Sequence, residues 1–130
     1  LTIANRTRSK ADSLADKLRA VGHESVKSLG FGQLDGSFDL VINATSTGLD
    51  GQVPAINEAS VAGAFCYDML YGVDTAFCRW ARKAGAGEVT DGLGMLVGQA
   101  ALAFELWRGV RPQVTPVLKT IRSRLAGGSA

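Results

Sequence analysis

The chain has 130 residues, 46% of them hydrophobic and 20% charged, with a formal net charge of +2. This is enough for one globular domain with a core, and the small net charge argues against a dedicated nucleic-acid-binding protein. No apolar run is long enough to span a bilayer, and the sequence shows no leader of the kind that predicts secretion. Two cysteines and a single histidine predict a reduced cytoplasmic setting without a metal site.

Short strands and helices alternate through residue 90. The predicted strands are LTIAN (1–5), ESVKSL (24–29), FDLVIN (38–43), AFCYDML (64–70) and EVT (88–90). Apolar residues at helical spacing predict two helices between them, carried by Ala11, Leu14, Ala15, Leu18 and Val21, and by Val73, Phe77, Trp80, Ala81 and Ala84. The alternation predicts an α/β fold, a parallel sheet with helices on both faces, and the unbroken run FDLVIN predicts a strand buried on both faces.

Two further helices are predicted after residue 91. DGLGMLVGQAALAFELWRG (91–109) carries one apolar stripe, formed by Met95, Leu96, Leu102, Ala103 and Leu106. Gln99 lies within that stripe, where an unpaired buried amide would cost about 1–3 kcal/mol. Gln99 is therefore either a buried amide satisfied by the backbone or a group that faces a polar substrate. The last helix begins near Thr115 and Pro116, with proline at its first position.

Ligands of doubly wound sheets bind beyond the carboxyl ends of the strands. After the first strand, where an NAD-binding domain usually has an acidic residue, the sequence NRTRSKA has Asn5 and Arg6. The Arg6 guanidinium suits the 2′-phosphate of NADP. Thr7, Lys10 and the free N–H groups of a helix start would add further contacts to it. The alternative is an ordinary, solvated helix start.

Two more strand ends carry candidate residues. Small hydroxylated residues follow FDLVIN, in ATSTG (44–48), and either line a cofactor or form an ordinary turn. Tyr71 follows AFCYDML and either holds a polar substrate or packs in the core. Asp68 and Asp91 end strands, but nothing in the sequence assigns either as a general base. The sequence contains no legible nucleophile–base pair and no P-loop, and the glycine-rich GFGQLDG (30–36) precedes no clear helix.

Four segments, NRTRSKA, INATSTGL, YDMLYG and DGLGMLVGQAALAFELWRG, together resemble the C-terminal half of the shikimate dehydrogenase family. That family reduces 3-dehydroshikimate to shikimate with NADPH in aromatic amino-acid biosynthesis. The resemblance implies a partial Rossmann-like, NADP-binding domain in residues 1–91. It also implies that the helices of residues 92–130 pack on a substrate domain that the chain does not contain.

The resemblance implies roles for matched positions. The 2′-phosphate would be held by Asn5, Arg6, Thr7 and Lys10, with Arg6 also over the adenine ring. The rest of the cofactor would be lined by Ala44, Thr45, Ser46, Met69, Gly92 and Met95, with the Gly92 carbonyl toward the carboxamide. Shikimate or 3-dehydroshikimate would be hydrogen-bonded by Tyr71 and Gln99.

Parts of the family pattern are missing from the chain. The catalytic Lys–Asp pair lies in the N-terminal substrate domain, and the first glycine-rich βα turn is absent as well. We therefore expect a fragment that is inactive alone and contains no catalytic residue. If LTIAN and FDLVIN flank an absent central strand, both have exposed edges. A missing N-terminal segment could fill the gap, the two strands could pair directly, or two copies could pair as a homodimer.

Three other functions compete with this interpretation. The same family includes enzymes that accept quinate or use NAD, although no acidic residue near Arg6 and Thr7 favours NAD. A non-catalytic nucleotide-binding module could be built on half a Rossmann fold. A different dehydrogenase with a related cofactor domain, such as a glutamyl-tRNA reductase, is disfavoured by the segments that contain Tyr71 and Gln99.

Overall fold

The computed structural model describes residues 1–72 and 74–127, so Val73, predicted on a helix stripe, and residues 128–130 lie outside the described residues. The strands are β1 (Thr2–Asn5), β2 (Lys27–Gly30), β3 (Leu40–Asn43), β4 (Phe65–Asp68) and β5 (Glu88–Thr90). The helices are α1 (Arg8–Ala20), α2 (Ala76–Lys83), α3 (Leu93–Arg108) and α4 (Val114–Gly127). Short 3₁₀ turns occupy Phe31–Gln33, Ser46–Asp50 and Glu58–Ser60.

The strands form two parallel sheets. β1 pairs with β2 in one sheet, and the other has the order β3–β4–β5. The register places Asn43 beside Asp68 at the carboxyl ends of β3 and β4, and Tyr67 beside Thr90. These pairings confirm the prediction of an α/β fold with a partial parallel sheet.

A groove separates the two sheets. Within residues 1–72 and 74–127, no strand pairing joins β1 to β3, and side chains of both strands line the same groove. Leu40 and Ile42 point toward it and are 51% and 56% exposed. The prediction that FDLVIN is buried on both faces is wrong, because β3 is an edge strand and nothing in residues 1–72 and 74–127 covers the face that carries Leu40 and Ile42.

A hydrophobic core lies between α2 and the second sheet. Phe77 and Ala81 of α2 are buried together with Val61, Ala64 and Cys66. Thr75 is the N-cap of α2, because its hydroxyl accepts a hydrogen bond from the Cys78 amide at 3.1 Å.

Helix α3 buries a different face from the one that its sequence predicts. Its buried residues are Leu93, Val97 and Ala101. The stripe that contains Gln99 is largely exposed, with Leu102 52% and Leu106 84% accessible. The expected burial of this stripe is wrong in the described chain, since nothing in it covers that side of α3.

Helix α4 packs against α3, and its residues Val114, Leu118 and Ile121 are partly buried. It begins at Val114 rather than at Pro116, so the proline lies within the first turn, where its missing N–H is tolerated. No helix in the described part of the chain is both long and apolar enough to cross a membrane.

Candidate functional site

The loops that leave the strands converge at one edge of the fold, since parallel strands end on the same side. The Met69 amide donates to the Asn43 carbonyl at 3.0 Å and ties the exit of β4 to the end of β3. The Gly92 amide donates to the Leu70 carbonyl at 2.9 Å and ties the start of α3 to the same exit. This edge therefore joins residues that are far apart in sequence.

Seven of the predicted cofactor residues line the groove between β1 and β3, which has a volume of about 680 Å³. They are Asn5, Arg6, Thr7, Lys10, Ala44, Thr45 and Ser46. The rest of the lining is largely apolar and includes Leu1, Ile3, Leu14, Phe31, Leu40 and Ile42. The groove thus has a polar end at the carboxyl ends of the strands and an apolar remainder along β1 and β3.

The polar end carries positive charge. Arg6 and Lys10 are exposed, and among the described residues neither makes an ion pair and no carboxylate lines the groove. Asn5 Oδ1 accepts from the Thr7 amide at 2.9 Å, which holds the turn between β1 and α1. This end of the groove fits an anionic group such as a phosphate.

Neighbouring Arg8 is engaged elsewhere. It donates to Gln33 Oε1 at 2.5 Å and lies 3.6 Å from Asp12 Oδ1. Unlike Arg6, it does not line the groove.

The other five candidates lie outside this groove. Met69, Tyr71 and Met95 are exposed by 41%, 49% and 41%, and Gln99 is also exposed. Gly92 is buried, and a Cβ added there would lie 2.3 Å from the Met69 carbonyl oxygen. Only glycine therefore allows α3 to start so close to the β4 exit. The Gly92 carbonyl accepts from the Leu96 amide at 3.0 Å, so a ligand would use its second lone pair.

A buried polar cluster behind these loops was not predicted as a site. Asp68 is fully buried and accepts hydrogen bonds from Asn43, Thr75 and the Leu70 amide. The only sequence signal is that Asn43 and Asp68 each end an apolar strand. Their contact depends on the register of β3 and β4, which the sequence does not specify directly.

Neither cysteine is suited to nucleophilic chemistry. Burial raises the pKa of the Cys66 thiol, and the neighbouring Cys78 raises it further. Burial is also the main cause of the raised pKa of Cys78, with the Asp68 carboxylate raising it and the Thr75 hydrogen bond lowering it. Both thiols are therefore held protonated at neutral pH.

Comparison with known proteins points to one family. Residues 92–122 match the model of the shikimate 5′-dehydrogenase C-terminal domain. The NADP(+)-dependent shikimate dehydrogenase of Cellvibrio japonicus is 50% identical over 128 residues, which cover 96% of this chain and 46% of that protein. The chain thus spans about half the length of the curated relatives that it matches.

Solved structures agree with the sequence comparison. The Ael1 enzyme from Pseudomonas putida superposes with a TM-score of 0.84 and 40% identity over 93% of this chain and 45% of that one. The shikimate 5-dehydrogenase from Thermus thermophilus, solved with NADP(H) and shikimate, has a TM-score of 0.74 and 28% identity. That match covers 94% of this chain and 45% of the Thermus chain.

Proposed function

Because the chain belongs to the shikimate dehydrogenase family and corresponds to its C-terminal half, we propose that it is the NADP-binding half of such an enzyme. The whole enzyme would reduce 3-dehydroshikimate to shikimate with NADPH. The observation that carries this proposal is the groove lined by Arg6 and Lys10, because no carboxylate of the described residues lies in its wall.

The fit to NADP rests on charge and shape. A carboxylate in this position would repel a 2′-phosphate, whereas the Arg6 guanidinium can donate two parallel hydrogen bonds to it. Thr45 and Ser46 supply small polar groups on the opposite wall of the groove. NADPH supplies the hydride when bound, and the protein residues bind and orient it.

Substrate contacts are proposed outside this groove, where the loops leave the carboxyl ends of the strands. Tyr71 lies in the loop that follows β4, and Gln99 lies on the exposed face of α3. Both carry hydrogen-bonding groups that suit the hydroxyls of shikimate. The acid–base pair that exchanges the substrate proton would come from the N-terminal half, so the chain alone would bind without catalysing.

We also propose that the apolar part of the groove receives one parallel strand from the N-terminal half. β1 and β3 run parallel to their neighbours and belong to separate sheets, so each has an unpaired edge facing the groove. A single strand between them would satisfy both edges and cover Leu40 and Ile42. A homodimer through these edges is the competing arrangement, but a groove between two strands of one chain better suits a single strand.

Residues 1–91 would form the NADP-binding unit, and residues 92–130 would bridge to the substrate domain. The cytoplasm is the proposed location, because Cys66 and Cys78 are both free thiols and reducing compartments keep thiols free.

The test uses the full-length enzyme with shikimate and either NADP+ or NAD+. Arg6→Ala should raise KM for NADP+ about tenfold or more, since a bidentate charged contact contributes about 1.5–3 kcal/mol. KM for NAD+ should hardly change. Arg8→Ala is the matched control, because Arg8 does not line the groove.

Equal losses for both cofactors in Arg6→Ala would contradict the assignment of the 2′-phosphate site. Oxidation of quinate in preference to shikimate by the unmodified enzyme would replace the proposed substrate.

A further inference from the structure

The carboxyl group of Asp68 lies where three parts of the chain meet. It is fully buried at the end of β4 and accepts from Asn43 Nδ2 at 3.1 Å, from the Leu70 amide at 3.2 Å and from Thr75 Oγ1 at 2.5 Å. The donors belong to the end of β3, the β4 exit loop and the start of α2. One side chain therefore connects three segments.

The hydrogen bonds continue beyond Asn43 toward the groove. Asn43 Oδ1 accepts from the Thr45 amide at 3.2 Å and from the Thr45 hydroxyl at 2.7 Å. The Thr45 and Thr47 hydroxyls are 2.7 Å apart, and Thr47 is the donor because the Thr45 proton is already directed at Asn43. The donors run in one direction, from Thr47 through Thr45 and Asn43 to Asp68.

The hydrogen bonds also continue on the other side of Asp68. Thr75 Oγ1, which donates to the carboxylate, accepts from the Cys78 amide at 3.1 Å. An uninterrupted series of contacts thus joins Thr47 to the first turn of α2.

The arrangement has little freedom. A carboxylate only accepts, so the Asn43 amide must turn its nitrogen to Asp68 and its oxygen to Thr45. A buried polar network of this kind specifies one geometry, because every alternative leaves a group unpaired. An apolar residue at position 68 could fill the space but could not fix the loops.

We infer that Asp68 is a positioning residue that fixes the two loops of the proposed site relative to each other. Loop 44–47 carries Thr45 and Ser46, proposed to contact the cofactor, and loop 69–71 carries Met69 and Tyr71, proposed on the nicotinamide and substrate side. Asp68 holds the first loop through Asn43 and the second through the Leu70 amide. Binding of cofactor and substrate would thereby be linked. This inference rests on the proposed function.

The first measurement is amide hydrogen exchange in the full-length enzyme, which needs no assumption about the substrate. Thr75→Val removes the donor to Asp68 and the acceptor for the Cys78 amide. If the network acts as a unit, exchange should accelerate several-fold at the Thr45 and Leu70 amides as well as at Cys78. Thr75→Ser keeps the hydroxyl and should restore the protection.

A matched control separates this effect from general destabilisation. Val61 is fully buried in the core but belongs to no part of the network. Val61→Ala should accelerate exchange uniformly, without selecting Thr45 and Leu70. A response to Thr75→Val that is confined to Cys78 would overturn the inference.

The second measurement is kinetic. Asn43→Ala should raise KM for NADP+ and KM for shikimate together, each about fivefold to tenfold, with a smaller change in kcat. Val61→Ala should lower Tm and leave both KM values unchanged. Unaltered KM values in Asn43→Ala, despite a lowered Tm, would make the cluster merely structural and overturn the inference. If the unmodified enzyme does not oxidise shikimate with NADP+, the proposed function fails, and amide exchange alone decides whether Asp68 couples the loops.

Discussion

Helix α2 buries most of its apolar side chains, whereas helix α3 leaves many of its apolar side chains exposed. In α2, Phe77 and Ala81 are buried to 1% and 0% exposure against the β3–β4–β5 sheet. In α3, the large hydrophobic residues Leu106 and Trp107 are 84% and 77% exposed. The core around α2 is complete within the described residues, whereas the outer face of α3 is not covered there.

The difference indicates where the proposed N-terminal half would pack. Large exposed apolar patches mark interaction sites, and Leu102, Leu106 and Trp107 of α3 are all more than half exposed. A groove of about 330 Å³ between α3 and α4 is also lined almost entirely by apolar groups, including Phe104 and Val117. We propose that these apolar surfaces and the open edges of β1 and β3 are where the N-terminal half packs.

The largest effect is expected in the complete core. Phe77→Ala should lower the free energy of unfolding of the full-length enzyme by about 3–5 kcal/mol, because it removes a buried ring and leaves a cavity. Urea denaturation measures this loss. A loss below about 1 kcal/mol would show that the core around α2 is not closely packed.

The uncovered face of α3 gives an intermediate effect. Leu106→Ala should destabilise the full-length enzyme by about 1–3 kcal/mol if the N-terminal half buries that side chain. Val21, which is 72% exposed at the end of α1, is the control, and Val21→Ala should stay within about 0.5 kcal/mol. Equally small losses of stability in Leu106→Ala and Val21→Ala would mean that the N-terminal half does not cover this face of α3.

Gln99 tests whether the same face also serves the substrate. Gln99→Leu should reduce kcat/KM for shikimate about tenfold while Tm holds, since the loss of one well-placed hydrogen bond costs about 1–1.5 kcal/mol. Gln52→Leu, which changes another exposed glutamine, should leave both unchanged. Unaltered kinetics in Gln99→Leu would refute the proposed substrate contact.

The smallest effect is expected where α4 is tied to the end of β5. Arg122 Nη2 lies 2.9 Å from Asp91 Oδ1, and the side chains of the arginine and the aspartate are 55% and 15% exposed. Arg122→Ala should cost about 1 kcal/mol, and less at high salt because the arginine end of the pair is exposed and its charge is screened. A cost above about 2 kcal/mol, independent of salt, would mean that this contact is buried in the full-length enzyme.

Local elements could be predicted from the sequence, but their surroundings could not. The apolar runs that end at Asn43 and Asp68 indicated strands, and helical periodicity indicated α3, because these signals depend on neighbours along the chain. Whether the side chains of Ile42 and Leu106 are buried depends on neighbours in space. The contact between Asn43 and Asp68 likewise follows from the pairing of β3 with β4. Its position behind the two loops follows only from the three-dimensional arrangement.

We propose that the groove between β1 and β3 receives one strand of the N-terminal half and binds NADP at its polar end. A crystal structure of the full-length enzyme with NADP+ tests it most directly. We expect a parallel strand hydrogen-bonded to both Thr2–Asn5 and Leu40–Asn43, with the 2′-phosphate against Arg6. Direct pairing of β1 with β3, or a 2′-phosphate bound away from Arg6, would contradict it.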